Sequence, residues 1–330
     1  MAQEFFQQRP AITPTIYAYM LPGVGSHQGY LKVGYTERDV ETRVAEQMHT
    51  SAVPYQIVLQ ESAMRPDGSC FTDKDVHAAL RKRGIRQLNA GDDRNEWFKC
   101  SVDIVRAAII AVRDGTANIE NRTQTFKMRP EQEQAVDKTI AYFKSIRAEG
   151  SVRAPKFLWN AKMRFGKTFA SYQLAKKMGM KLVLILTFKP AVQTAWKEDL
   201  MTHMDFEGWQ FITRPSAPGG LTNDQQYLRA DKTRPIVCFG SFQDFLGREA
   251  RTGRIKAHHE WVREEDWDLV VFDEYHFGAW RDNAKSLFDF DEESDVDFES
   301  SPDDLDLDLN EEILPITADY YLYLSGTPFR

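Results

Sequence analysis

Between Asn160 and Ser171 the chain reads Asn-Ala-Lys-Met-Arg-Phe-Gly-Lys-Thr-Phe-Ala-Ser, and the Gly166-Lys167-Thr168 within it limits the possible folds more than any other stretch. A loop that cradles phosphates needs backbone N–H groups aimed at oxygens, an ammonium for the outer phosphates and a hydroxyl for magnesium, all at the mouth of a helix. Gly166, Lys167 and Thr168 supply these three. Ala161 stands where the eight-residue frame would start with glycine, and Arg164 and Phe165 are bulkier than the small residues expected before Gly166. Alone, the triplet also fits a Lys-Thr pair at an ordinary helix start. The run Trp267-Asp268-Leu269-Val270-Val271-Phe272 separates the two readings, because it has strand length and delivers Asp273 and Glu274 at its carboxyl end. A phosphate loop needs one carboxylate there to hold Mg²⁺ and a second to orient the attacking water. Asp273 and Glu274 fit those roles.

Three more apolar runs follow the same plan. Leu182 to Leu186 is continuously apolar, as a parallel strand buried on both faces must be, and it ends in Thr187-Phe188-Lys189-Pro190. Ile236 to Phe239 leads into Gly240-Ser241-Phe242-Gln243, and Tyr320 to Leu324 into Ser325-Gly326-Thr327-Pro328. Strands alternating with helices, with polar groups at the carboxyl ends, predict an α/β domain whose mainly parallel sheet is flanked by helices.

The ordered series Gly-Lys-Thr, Asp-Glu-Tyr-His (Asp273 to His276) and Ser-Gly-Thr-Pro resembles the first RecA-like domain of superfamily 2 DEAD/DEAH-box helicases, of the kind found in restriction enzymes, over about Phe126 to Arg330. Arg129-Pro130-Glu131-Gln132 resembles the adenine-reading element of these proteins, and Gln132 can both donate to and accept from a base. By this resemblance Arg129, Gln132, Gly166, Lys167 and Thr168 bind ATP, and Thr168 and Asp273 hold Mg²⁺. Glu274 positions the water, and His276 and Thr327 link the nucleotide to the nucleic acid. Members of the family need a second RecA-like domain to close the ATP site, so the chain is expected to be the N-terminal fragment of a longer protein.

The N-terminal part predicts a smaller mixed α/β domain. Thr15 to Met20 and Tyr30 to Tyr35 form a hairpin around a glycine-rich loop. A helix opens at Asp39 with Val40, Val44 and Met48 as its apolar stripe, and Arg43 flanks that stripe. A strand at Gln56 to Leu59, a helix from Asp73 to Arg83, the segment Asn95 to Phe98 and a helix between Ser101 and Gly115 follow. Thr15-Ile16-Tyr17, Lys32-Val33-Gly34, Arg43 and the Glu96 of Glu-Trp-Phe together resemble the GIY-YIG nuclease superfamily, in its phage-type Lys-Val-Gly branch. The resemblance implies that Glu96 holds a divalent cation, Arg43 clamps the scissile phosphate, and Tyr17 takes or relays the proton of the attacking water. Lys32, where the superfamily has tyrosine, would stabilise negative charge or, with a lowered pKa, act as base. His77 is a further candidate, although a histidine on such an amphipathic helix is more often structural.

The boundary is expected in the polar stretch after Asp114, giving a nuclease-like domain over 1–114, a linker over 115–125 and a helicase ATP-binding domain over 126–330. The net charge of −7 hides an asymmetry: Asp289 to Glu312 holds 13 acidic residues and no Lys or Arg, so the remainder carries 42 basic against 36 acidic. That balance allows a polyanionic partner without demanding one. The acidic insert, 287–312, reads either as a solvated loop or as a phosphate mimic that blocks a DNA groove. No apolar run is long enough to span a bilayer and no signal-peptide core is present, which points to the cytoplasm. Cys70, Cys100 and Cys238 are too scattered for a disulfide framework or a zinc site.

The two resemblances together imply an ATP-dependent DNA helicase or translocase joined to a metal-dependent endonuclease, a pairing that most resembles those of restriction or phage defence. Two rivals stay open: a helicase whose N-terminal domain only binds DNA, and an ATP-gated DNA-binding scaffold without turnover.

Overall fold

The computed structural model describes residues 13–49, 51, 53–89, 95–162, 164–187, 189–215, 219–245, 260–273 and 316–326. The chain divides into two compact units, Met1–Thr125 and Phe126–Arg330.

In the first unit, β1 (Thr15–Met20), β2 (Tyr30–Thr36), α1 (Val40–Met48), β3 (Gln56–Ser62), α2 (Asp73–Lys82), β4 (Trp97–Lys99) and α3 (Val102–Asp114) follow one another. The strands form an antiparallel sheet in the order β3-β1-β2-β4. Strand alternation sorts β1 between two layers. Ile16 and Ala18 join Val33, Leu59, Val76, Leu80, Val105 and Ile109 in the main core. Tyr17 and Tyr19 point the other way and pack with Val40 and Val44 of α1. The Asp39 carboxylate caps α1 by accepting from the Thr42 N–H at 2.8 Å. Gly115, at φ +66°, ends α3 in the left-handed conformation that glycine adopts without strain. The expected linker packs closely: Asn118 is fully buried, and its side-chain amide donates to the carbonyls of Ala107 and Arg122.

The second unit runs α4 (Pro130–Ala148), β5 (Lys156–Asn160), α5 (Lys167–Met178), β6 (Leu182–Thr187), α6 (Gln193–Thr202), β7 (Gln210–Ile212), α7 (Asn223–Arg229), β8 (Ile236–Ser241), α8 (Phe242–Phe245), α9 (Trp261–Glu264), β9 (Trp267–Asp273) and β10 (Ala318–Ser325). Its six strands are parallel, in the order β5-β10-β9-β6-β8-β7. The central strands read as unbroken apolar runs because both faces are covered. Val183 and Ile185 pack with residues of α4, α5 and α6 on one face, and Leu184 and Leu186 with Tyr227 of α7 and Val262 of α9 on the other. The fold is therefore the mixed α/β arrangement expected, an antiparallel sheet unit followed by a parallel sheet flanked by helices.

Candidate functional site

Strand register brings the sequence landmarks of the second unit into one row. Ser325 pairs with Asn160, Thr187 with Asp273, and Thr187 with Ser241, all at the carboxyl edge of the sheet. Ligands of open α/β sheets bind at that edge. The loop leaves β5 there, anchored where the Ala161 N–H donates to the Ser325 carbonyl at 2.9 Å. Gly166 then starts α5 in the left-handed region, at φ +78°. The Lys167 ammonium lies 3.1 Å from where a Cβ on Gly326 would stand, so the loop's cation abuts the strand end that opens the Ser-Gly-Thr-Pro motif.

The bulky residues of the loop have places. Arg164 adopts a left-handed φ of +68°, and the Phe165 ring meets Trp159 edge to face at 6.1 Å. Their carbonyls are held from α4 and its cap. The Arg129 guanidinium donates to the carbonyls of Arg164, at 2.8 Å, and of Phe165, and the Gln132 amide donates to the Phe165 carbonyl at 2.7 Å. The Gln132 side-chain carbonyl accepts from the Arg129 N–H at 2.8 Å, so both of its hydrogen-bonding groups are engaged within the chain. Beside this brace, a cavity of about 570 Å³ is lined by Arg129, Lys138, Trp159, Arg164 and Phe165, among others.

Asp273 is 7% exposed, and its Oδ2 accepts from the Trp196 indole N–H at 2.8 Å. Thr168 Oγ1 and an Asp273 carboxylate are hard oxygen donors suited to Mg²⁺, which takes one or two carboxylates together with phosphates and water. No group of three metal-ligating side chains occurs among the described residues, and a site of that kind does not require one.

In the first unit, Tyr17 and Lys32 share Gln47, and Lys32 also reaches Glu96. The Gln47 side-chain carbonyl accepts from the Tyr17 hydroxyl at 3.4 Å and from the Lys32 ammonium at 3.2 Å. Lys32 is ion-paired with Glu96 at 3.1 Å. Tyr17 crosses the hairpin opposite Gly34. Burial raises the Tyr17 pKa, and the hydrogen bond to Gln47 and the positive charge of Arg43 pull it back. The phenol is therefore protonated near neutrality and suited to relaying a proton. The His77 ring is buried, and its Nε2 hydrogen-bonds the Val33 carbonyl at 2.9 Å. A carbonyl only accepts, so Nε2 carries the hydrogen. Burial also lowers the His77 pKa, and the residue is a core strut under β2.

Glu274, His276, Thr327 and the acidic insert lie outside the described residues. Two residues at these sites carry no motif. Gln47 follows Arg43 by one helical turn of α1, a spacing readable once Arg43 is singled out. Trp196 gives no local signal, because its partner Asp273 lies 77 positions away.

Residues 15–113 match the family described as T5orf172 domain, and residues 125–330 match the family described as Type III restriction enzyme, res subunit. A Mycoplasma pneumoniae protein described as a putative type II restriction enzyme and methyltransferase, RM.MpnORF110P C-terminus, is 36% identical over 163 residues, 47% of this chain. The chain spans 21% of that relative's length. Among solved structures, the Sulfolobus solfataricus SWI2/SNF2 ATPase core in complex with dsDNA is 16% identical at a TM-score of 0.34, over 62% of this chain and 32% of that one. A nuclease-deletion mutant of the Type ISP restriction-modification enzyme LlaGI in complex with a DNA substrate mimic is 14% identical at a TM-score of 0.35, over 62% of this chain and 18% of that one. Likenesses this distant carry no functional argument. No described helix is long and apolar enough to cross a membrane.

Proposed function

The chain belongs to the Type III restriction enzyme res subunit family, and from that premise we propose that residues 126–330 form an ATP-driven DNA helicase or translocase and that residues 1–114 carry a metal-dependent endonuclease of GIY-YIG type, acting together in restriction or phage defence. The observation that carries this reading is the row at the carboxyl edge of the parallel sheet, where Asp273 stands in register with Thr187 and the Lys167 ammonium abuts Gly326. A bound triphosphate would sit at the N-terminus of α5, with the loop N–H groups and Lys167 on its oxygens. Thr168 and Asp273 would hold Mg²⁺, which neutralises charge on the phosphates. Glu274 would orient the water, while His276 and Thr327 would face the nucleic acid. Arg129 and Gln132 brace the loop and stand beside the cavity where a base would enter.

In the first unit, phosphodiester cleavage needs a cation on the pentavalent phosphate and a proton acceptor within reach. Arg43 and Lys32 supply positive charge, Tyr17 relays the proton, and Glu96 is the carboxylate for a divalent cation. One observation favours a domain that only grips DNA, namely that Glu96 is already paired with Lys32. Plasmid DNA incubated with the protein, Mg²⁺ and ATP separates the readings. Cleavage lost in Glu96→Ala with ATP hydrolysis retained supports the coupled enzyme. ATP hydrolysis without cleavage in the wild type supports the DNA-gripping domain, and nucleotide binding without either activity supports a scaffold.

A further inference from the structure

We propose that Trp196 is a positioning residue for the nucleotide site, its indole N–H fixing the carboxylate of Asp273. The inference rests on the reading of Asp273 as a magnesium-holding group. A carboxylate 7% exposed needs donors to remain charged, and an indole supplies one directional N–H that neither titrates nor accepts. At 2.8 Å the bond from Nε1 to Oδ2 has charge-assisted length. The indole is itself clamped. Tyr172 meets its ring edge to face at 5.3 Å, and the Tyr172 hydroxyl donates to the Trp196 backbone carbonyl at 2.9 Å. Tyr172 lies on α5, the helix that the phosphate loop opens, so one indole ties that helix and α6 to the end of β9.

A buried tryptophan usually finds an acceptor for its N–H, and the choice of acceptor is what distinguishes this one. Trp159 donates to the Thr139 hydroxyl and Trp267 to the Val262 carbonyl, both neutral acceptors outside the row of strand ends. Trp196 donates to the carboxylate of that row. Partners that orient a metal-bearing carboxylate typically govern metal affinity by 10- to 100-fold.

The test replaces Trp196 with benzothienylalanine, which keeps the ring shape and puts sulfur in place of N–H. Trp196→Phe serves as the second variant lacking the donor. A fluorescent ADP analogue is titrated onto the whole chain without metal, and Mg²⁺ is then titrated into the complex. Both variants should bind the metal-free analogue as the wild type does, melt within a few degrees of it without ligand, and need about tenfold more Mg²⁺ for half-saturation. An isostere whose Mg²⁺ titration overlays the wild type, while Asp273→Asn shifts it, overturns the role of Trp196. Titrations unshifted in the isostere and in Asp273→Asn alike overturn the assignment of Asp273, and the inference with it.

Discussion

A Cβ atom on Gly34 would stand 2.6 Å from both the hydroxyl oxygen and Cζ of Tyr17, its partner across the β1–β2 hairpin. The Tyr17 ring therefore lies flush on the backbone of β2, and only a residue without a side chain lets its hydroxyl reach Gln47. Gly34→Ala should displace the ring and destabilise the first unit by about 1–3 kcal/mol, the usual cost of overpacking. Urea unfolding reads the stability loss. The same variant should lose DNA cleavage and keep nucleotide binding, since the phosphate loop belongs to the other unit.

Gly166 faces two constraints at once. Its φ of +78° costs an L-residue about 1–2 kcal/mol, and a Cβ there would stand 2.5 Å from the Gln132 amide nitrogen. Gly166→Ala should therefore weaken nucleotide binding at least tenfold by isothermal titration. Adding Gln132→Ala removes the clash and leaves the backbone strain, so the double variant should recover only part of the affinity. Full recovery would mean that the steric term alone decides, and none would mean that the brace itself is needed.

How much the sequence disclosed follows from how locally each feature is encoded. The strands β6, β8, β9 and β10 are readable because burial on both faces forces unbroken apolar runs. The edge strands β5 and β7 escape that logic: Lys156 and Asn160 bound a five-residue strand, and β7 spans only Gln210–Ile212. Tyr17, Lys32 and Glu96 are singled out by motif spacing, and in the structure Tyr17 and Lys32 share Gln47 while Lys32 pairs with Glu96. Gln132, read from the sequence as facing a base, stands in the first turn of α4, where its amide donates to the Phe165 carbonyl and braces the loop. The bond from Trp196 to Asp273 depends on the rotation of α6 against the sheet, which no local pattern records.

The second unit should respond to pH through two groups of opposite sign. Burial, reinforced by neighbouring Glu198, raises the Asp199 pKa to about 6. A carboxyl whose folded pKa lies above its unfolded value contributes stability that is complete below the unfolded pKa and is lost as pH rises through the folded one. Asp199→Asn carries no charge at any pH, so it should melt above the wild type at pH 7.5, with the gap closing toward pH 5. His203 works the other way. Its Nε2 hydrogen-bonds the Phe126 carbonyl and its Nδ1 accepts from the Asp205 N–H, which fixes the neutral ring, and burial lowers its pKa. Its contribution is present above the unfolded pKa of about 6.5 and is lost as pH falls through the lowered folded value. His203→Gln should therefore flatten the acid side of the melting profile, and Asp199→Asn the alkaline side. If both substitutions shift the melting temperature by the same amount at every pH from 5 to 8, the two residues act through packing alone and neither titration contributes to the stability of the unit.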